Sequence, residues 1–275
     1  MRPNYRHFDP LPKGRGVPRT VGARLRWAVL PWRAPRSPAV QPLPNPTQAA
    51  PLESAAGIAP GGAWTGRLWL RMRRHFLIKL VGISLFMWVF FIGYFHLLRN
   101  PTGPVLTMPL TALDRAIPFT PGALALYLSL WFYVGIAPGL MLRLRDLVAF
   151  GAWAAALCGA GLACFYLLPT AVPPQPLEID LAQHPAFVML QGVDASGNAC
   201  PSLHVATAVF AALWIEHLLR LIGAPAFMRL VNLLWVLLIV WSTLAVKQHV
   251  VIDVVSGALL GSAFAMAALR WRPRP

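Results

Sequence analysis

Charged residues are scarce in this chain of 275 residues, making up 12% of it against 57% hydrophobic residues. A soluble domain has about 25% charged residues, so the composition argues against a soluble domain and indicates a membrane protein. Cysteine is also scarce, and three cysteines exclude a disulfide framework. Cys158 and Cys164 lie within an apolar run, and Cys200 has no His/Asn pattern around it. We therefore expect packing residues and not a reactive thiol.

Two kinds of motif are missing as well. No Cys and His residues have the spacing of a zinc site, and no G-x-x-x-x-G-K-[ST] loop is present to bind a nucleotide. The sequence therefore predicts neither a metal ion nor another cofactor.

Acidic residues are few, 9 against 24 Lys and Arg, which gives a formal net charge of +15. Such a charge is compatible with nucleic-acid binding. However, thirteen of the basic residues precede residue 76 in a proline-rich segment, and no basic stripe is interleaved with aromatic residues. We expect no nucleic-acid partner. Residues 1–65 are predicted to be a disordered basic tail beside a membrane, and residues 66–275 the membrane domain.

Long apolar runs dominate the rest of the chain. Each is about 18 to 23 residues long, enough for a helix to cross a hydrocarbon core of about 30 Å. The predicted fold is all-α, a polytopic bundle of six transmembrane helices. The runs are 76–97, 121–141, 147–168, 203–221, 229–246 and 250–269.

The positions of the basic residues predict the orientation of the six spans. With the N-terminal tail in the cytoplasm, the cytoplasmic loops and the C-terminal tail hold most of the arginines, as the positive-inside rule requires. Nearly all basic residues are Arg, and Ala, Pro and Gly are abundant, a composition typical of a GC-rich bacterial genome. We expect a bacterial inner-membrane protein with both termini in the cytoplasm. The loop 169–202 would then lie outside.

The segment 104–120 is semi-apolar, is interrupted by proline and is too short to span a membrane. Two interpretations stay open: a short amphipathic helix along the outer interface, or an ordinary loop.

A first polar cluster lies in "KQHVVID", where His249 and Asp253 are separated by four residues. This spacing places both on one face of a helix. A carboxylate that accepts a hydrogen bond from one imidazole nitrogen leaves the other nitrogen as a base or nucleophile. The alternative is a polar pair that holds two helices together.

A second cluster lies in "PSLH". Pro201 suits the first turn of a helix, and Ser202 can cap that turn or donate to an anion. His204 follows one turn into the helix. Taken alone, this stretch favours a helix capped by Ser202 with a packed His204 over an anion site. Because the fourth and sixth spans both begin outside, the two clusters are predicted to meet. They would form a phosphate site with two acid–base groups beside a helix N-terminus.

"NACPSLHVA", with "KQHVVIDVVSG" placed so that the two histidines are 45 residues apart, resembles the type 2 phosphatidic acid phosphatase (PAP2) superfamily. "LDRAIPFTP" followed by Tyr127 resembles its inositol phosphorylceramide synthase-like branch. The resemblance covers about residues 105–262. It implies a lipid phosphatase or phosphotransferase with a membrane-lipid substrate, in which His249 forms a phosphohistidine and Asp253 orients it. His204 would protonate the leaving oxygen, and Ser202 would hold phosphate oxygens; no metal is required.

The chain departs from the phosphatase pattern at two cationic positions. Gln175 and Thr243 stand where an Arg is expected. Lys247 and Arg115 are the candidate replacements, and Asn198, in the loop before the fourth span, is a further candidate for substrate binding. Three functions therefore stay open: hydrolysis of a lipid phosphate, transfer to an alcohol acceptor, and non-catalytic lipid binding. The sequence does not indicate an oligomeric state.

Overall fold

The computed structural model describes residues 63–174 and 197–272. The predicted tail lies outside these ranges up to residue 62. Within these described ranges, six helical segments are long and apolar enough to cross a membrane, which confirms the predicted all-α, six-span architecture. The elements are α1 (Trp64–Arg73), α2 (Phe76–Arg99), β1 (Leu106–Thr107), α3 (Ala112–Ala116), a 3₁₀ turn (Pro121–Ala123), α4 (Leu124–Leu128), α5 (Leu130–Gly139), α6 (Leu144–Leu167), β2 (Thr170–Ala171), α7 (Leu203–Leu221), α8 (Ala226–Ala245) and α9 (Val251–Arg270).

The second span differs from the single helix that its apolar run predicts. It consists of the 3₁₀ turn, α4 and α5 in succession, with Pro121 in the first turn and Pro138 inside α5. Proline is tolerated where the amide of a first turn has no partner, but inside a helix it removes a backbone hydrogen bond. The broken span brings Tyr127 and Trp131 toward α7, against the ring of His204.

Close packing of α7 against α9 fixes the two predicted motifs relative to each other. A Cβ atom at Gly257 would lie 2.3 Å from the carbonyl oxygen of Ser202, and one at Gly261 would lie 2.3 Å from that of Ala206. The two glycines, four residues apart, thus let the helix backbones approach as in other small-residue membrane contacts. Because both helices begin at the same end of the bundle, this contact sets the register of that end. We call it the histidine end.

Tyr133 and Asn232 form a buried hydrogen-bonded group inside the bundle. The hydroxyl of Tyr133 donates to Oδ1 of Asn232 at 2.7 Å, and the amide of Asn232 donates to the carbonyl oxygen of Ala212 at 3.1 Å. These bonds join the second span, α7 and α8. A buried amide without such partners would be costly in lipid.

The segment 104–120 is closer to the predicted loop than to the predicted interfacial helix. It is mostly a loop, but it contains the two-residue strand β1 and the five-residue helix α3. β1 pairs in parallel with β2, with Leu106 opposite Thr170. Ala171 also forms an isolated bridge with Gly197, so this small β structure ties the loop to the residues that precede α7.

Lys79 and α1 show that the end of the bundle opposite the histidine end is also ordered. Lys79 lies in the first turn of α2, a place from which a lysine side chain commonly extends to the membrane interface. Instead it is 3% exposed, and its ammonium donates to the carbonyl oxygens of Arg71 and Gly139 at 2.6 and 2.7 Å. Both carbonyls lie in the last turns of helices, where a cation is favoured.

Candidate active site

The two motifs are joined directly at the histidine end. The backbone N–H of Ser202 donates to the carbonyl oxygen of Asp253 at 3.0 Å. Ser202 is fully buried and is the N-cap of α7, since its Oγ accepts from the N–H of Val205 at 3.2 Å. Pro201 precedes this cap instead of occupying the first turn as predicted. The serine hydroxyl oxygen therefore acts as a helix cap in the structure.

His249 lies just before α9 and not on its face, because the helix has Val250 as its N-cap. The two side chains are nevertheless close together, with Nδ1 of His249 3.4 Å from Oδ2 of Asp253. This contact does not have the geometry of a hydrogen bond, because Nδ1 of His249 has no hydrogen-bond partner among the described residues, and neither has Oδ1 of Asp253. Oδ2 of Asp253 accepts from the N–H of Val250 at 3.0 Å, so the same carboxylate caps the helix and faces the imidazole.

His204 lies in the first turn of α7, and its ring is held by aromatic neighbours. It stacks on Tyr127 with the ring centroids 4.1 Å apart and 19° between the planes, and the edge of Trp131 meets it at 6.2 Å. The imidazole also forms a hydrogen bond with the backbone of Tyr127. Since Nε2 is buried without a partner among the described residues, Nδ1 makes that bond. Nε2 is thereby left for proton transfer.

Both imidazoles line one cavity of about 900 Å³, which passes between α2, the second span, α6 and α7. Asn198 lines it at the same end; it is 6% exposed, and its amide donates to the carbonyl oxygen of Tyr94 at 3.2 Å. Its backbone has a φ of 52°, in the left-handed region that Asn tolerates better than most residues. The cavity therefore combines His204, His249 and Asn198 at one end with an apolar lining elsewhere.

The two candidate cations do not line this cavity. The ammonium of Lys247 donates to the carbonyl oxygens of Asp114 and Ile117, at 2.9 and 2.5 Å. Burial lowers the pKa of Lys247, and the nearby charge of Asp114 opposes that shift. Arg115 lies exposed on α3. Among the described residues, Lys79 is the one Lys or Arg that lines the cavity, and it does so at the opposite end.

Of the two positions that depart from the phosphatase pattern, the described one, Thr243, has a structural role. The hydroxyl of Thr243 donates to the carbonyl oxygen of Val240 at 2.8 Å, and its own carbonyl accepts from the N–H groups of Gln248 and His249. Thr243 therefore holds the backbone of Gln248 and His249 in place. Gln175 lies outside the described residues.

Asp114 is the residue of this site that sequence reasoning missed. It is 3% exposed, its Oδ1 accepts from the N–H of Val251 at 2.8 Å, and its Oδ2 accepts from the N–H and hydroxyl of Thr111, both at 2.7 Å. Two carboxylates, from Asp114 and Asp253, thus face the N-terminus of α9, where negative charge is favoured. The spacing of Thr111 and Asp114 is that of a capping box, but nothing local in it indicates the contact with Val251.

No group of three or more His, Cys, Asp or Glu within residues 63–174 and 197–272 is arranged to hold a metal ion. The polar groups at the histidine end can instead supply a nucleophile, a second acid–base group and a helix N-terminus. This set is suited to chemistry on a phosphate ester.

Residues 150–275 match the model of the PAP2 superfamily. The match includes His204, His249, Asp253 and the glycines that pack α9 against α7. It begins after Asp114, so it does not reach "LDRAIPFTP" and does not confirm the inositol phosphorylceramide synthase-like branch. A comparison with curated proteins found no match, and one with solved structures also found none. A PAP2 domain implies phosphatase or phosphotransferase chemistry.

Proposed function

We propose that this protein is a membrane enzyme that acts on a lipid phosphate or diphosphate ester through a phosphohistidine intermediate. The observation that carries the proposal is the meeting of His249, Asp253 and His204 at one end of a cavity, within the segment that matches the PAP2 superfamily. Two separate apolar spans bring these groups together, and a polar pair that served only to join helices would not need a cavity.

In the first step, Nε2 of His249 attacks phosphorus and the bond from phosphorus to the leaving oxygen breaks. Asp253 accepts from Nδ1–H of His249 and stabilises the positive charge that develops on the ring. His204 begins this step protonated and delivers the proton on Nε2 to the leaving oxygen. Its Nδ1–H stays on the backbone carbonyl of Tyr127, so the ring does not need to turn between steps.

In the second step, neutral His204 takes a proton from water or an alcohol through Nε2. The resulting oxygen nucleophile attacks phosphorus, the phosphorus–nitrogen bond breaks, and His249 is regenerated as the neutral ring. Water gives inorganic phosphate, whereas an alcohol gives a new phosphomonoester of that alcohol. The N-terminus of α7 supports the charge on the phosphate oxygens through its dipole. The proton of the Ser202 hydroxyl is also available for donation, since only the oxygen is used in capping.

The orientation follows from the arginine distribution. We place the histidine end outside the cytoplasm and both termini inside, in a bacterial inner membrane. A lipid can then keep its hydrocarbon part in the bilayer while its phosphate reaches the two histidines. The substrate is a membrane lipid, and nucleic acid is not a partner.

Transfer to an alcohol is the second candidate function. It is favoured by the departure from the phosphatase pattern: two cations of that pattern are missing, and neither Lys247 nor Arg115 lines the cavity as a replacement. Incubation with labelled phosphatidic acid and a set of alcohols separates the two: a new phosphomonoester of the added alcohol supports transfer, and inorganic phosphate alone supports hydrolysis. A protein that only binds lipid would give neither.

The test of the proposal is phosphate release by the purified protein in detergent from phosphatidic acid, phosphatidylglycerophosphate and a polyprenyl diphosphate. We expect His249→Ala to abolish turnover of the lipid that the wild type uses. His96→Ala is the matched control, because His96 is exposed in the last turn of α2, at the same end of the bundle. Equal turnover by wild type and His249→Ala would show that His249 is not the nucleophile.

A further inference from the structure

The cavity that holds the two imidazoles extends far beyond them. Along α2 its lining runs from Phe95 and Tyr94, at the histidine end, to Lys79 and Ile78, at the opposite end. At 1.5 Å per residue this is about 25 Å, most of a hydrocarbon core of about 30 Å. A phosphate and its immediate esters fill only the first part of such a space, so the rest has to accommodate another part of the ligand or lipid.

The lining away from the histidine end is almost entirely apolar. Aromatic rings from α2 face it, among them Phe86, Phe90 and Phe91, with Val134 from the second span and Leu157 from α6. Such a lining favours hydrocarbon and disfavours a sugar, a polyol or a second charged group. Lys79 is the exception, but its ammonium at the far end already donates to two backbone carbonyls.

The cavity is also accessible from the side. Leu128 and Trp131 line it and are each 43% exposed, and Val148, near the far end, is 70% exposed. A hydrocarbon chain can therefore enter between α2 and the second span directly from the bilayer. It does not have to pass through water on the way.

From these observations we infer that one hydrocarbon chain of the substrate lies inside the protein, along α2, with its phosphate at His204 and His249. This inference rests on the proposed function and deepens it: the substrate is a long-chain lipid phosphate, and the depth of the cavity limits the length of the chain that fits. Lys79 and its carbonyl partners mark the deepest point that the chain can reach.

Two glycines allow the cavity to be shortened. Gly82 on α2 and Gly151 on α6 both line it, and a Cβ atom at either would have no neighbour within 4 Å. Both lie in the half of the cavity away from the histidines. Leucine at these positions would occupy the deep part of the cavity, and it favours the helix more than glycine does. Loss of folding is therefore not the expected effect.

Gly159→Leu is the matched control. Gly159 lies on α6 like Gly151 and has equally open space around its Cβ, but it does not line the cavity. The substitution adds the same side chain to the same helix. Any change common to Gly151→Leu and Gly159→Leu would therefore reflect the helix and not the cavity.

The experiment measures kcat/KM for hexyl, dodecyl and hexadecyl phosphate as probes. In the wild type we expect kcat/KM to rise from hexyl to hexadecyl phosphate. In Gly151→Leu and Gly82→Leu we expect the ratio of hexadecyl to hexyl phosphate to fall about tenfold or more, because each methylene excluded from an apolar site weakens binding about fourfold. Gly159→Leu should keep the wild-type ratio.

A second measurement does not depend on turnover. Hexadecyl phosphate with a diazirine at its chain end is photolysed with the purified protein, and the labelled peptides are identified. We expect labelling near Ile78 to Gly82 and near Leu147 to Gly151, suppressed by unlabelled hexadecyl phosphate and absent in Gly151→Leu.

The possible failures are distinguishable. If His249→Ala turns over hexadecyl phosphate like the wild type, the proposed function fails. If turnover depends on His249 but the chain-length ratio is the same in wild type, Gly151→Leu and Gly82→Leu, the chain is not held in this cavity. Unsuppressed labelling spread over lipid-facing residues of α8 would overturn the inference in the same way and would leave the proposed function intact.

Discussion

Oδ1 of Asp114 accepts a hydrogen bond of 2.8 Å from the backbone N–H of Val251, across 137 residues of sequence. Val251 is the first residue of α9, and His249 lies two residues before it. The short helix α3 therefore holds the end of the helix from which the proposed nucleophile projects. Lys247 adds to this attachment, because its ammonium is bound to the carbonyl oxygens of Asp114 and Ile117.

Asp114→Asn is expected to lower kcat about tenfold or more with little change in KM. An asparagine has a single acceptor oxygen and cannot serve both Thr111 and Val251, and a lost hydrogen bond to a charged group costs about 1.5 to 3 kcal/mol. Steady-state kinetics on the preferred lipid measure kcat and KM separately. Asp146→Asn, which removes a carboxylate from the Arg143 ion pair on α6, is the control. A purely structural role for Asp114 would lower the thermal stability and leave kcat per folded molecule unchanged.

Asp253→Asn is expected to reduce kcat by about 10²-fold or more, because an amide can present a donor to Nδ1 and stabilise the wrong imidazole tautomer. Single-turnover kinetics should locate the loss in the attack on phosphorus. Asp253→Glu should recover part of the rate if its longer chain can reach Nδ1. A rate within twofold of wild type for Asp253→Asn would show that the 3.4 Å contact with His249 has no catalytic role.

Lys247→Met is expected to lower the melting temperature while leaving KM for the lipid within about twofold. The ammonium donates to two carbonyls of the α3 segment and does not line the cavity. Its loss leaves two partly buried acceptors unpaired, at a cost of about 1 kcal/mol each. Arg115→Ala should change neither quantity, since Arg115 is exposed on α3. An increase of tenfold or more in KM for either variant would show that the substituted residue binds the substrate phosphate.

Gly261→Ala is expected to destabilise the bundle, because the added Cβ would lie 2.3 Å from the carbonyl oxygen of Ala206 and α9 would have to move away from α7. Overpacking of this kind typically costs about 1 to 3 kcal/mol. Gly159→Ala, where a Cβ has open space, is the comparison. Thermal unfolding in detergent measures the difference, and equal melting temperatures would contradict the close packing of the two helices.

The orientation can be tested with two exposed glycines at opposite ends. In a variant without its native cysteines, Gly103→Cys lies in the loop after α2 and Gly66→Cys lies in α1, and both positions have open space around a Cβ. An impermeant maleimide should label Gly103→Cys in intact cells and Gly66→Cys only after the inner membrane is opened. The reverse pattern would place the histidine end in the cytoplasm.

The six spans could be predicted from the sequence because each is a long apolar run. In a hydrocarbon core such a run forms a helix, since a helix satisfies its backbone hydrogen bonds internally. The predicted and observed bounds agree within a few residues for α2, α7 and α9. The meeting of "PSLH" with "KQHVVID" was also predictable, since two spans that begin on the same side must bring their first turns to one depth. In the structure this contact is the bond from the Ser202 amide to the Asp253 carbonyl.

Other features depend on contacts that are remote in sequence. Val250 cannot cap a helix with its own side chain, so the start of α9 after His249 depends on Asp253 and on Asp114 from a distant loop. Sequence spacing alone therefore placed His249 inside the helix. The cavity likewise lies between the other helices and α2, little of which is buried, and no periodicity within α2 predicts it.

The central claim is tested most directly by trapping the intermediate on His249. The purified protein is mixed with phosphatidic acid labelled with ³²P in its phosphate, quenched in alkali within one turnover, and digested so that the labelled peptide can be sequenced. We predict label on His249 that is stable in alkali and lost in acid, present in His96→Ala and missing in His249→Ala. Steady turnover with no label on His249, or with label on another residue, would contradict the account.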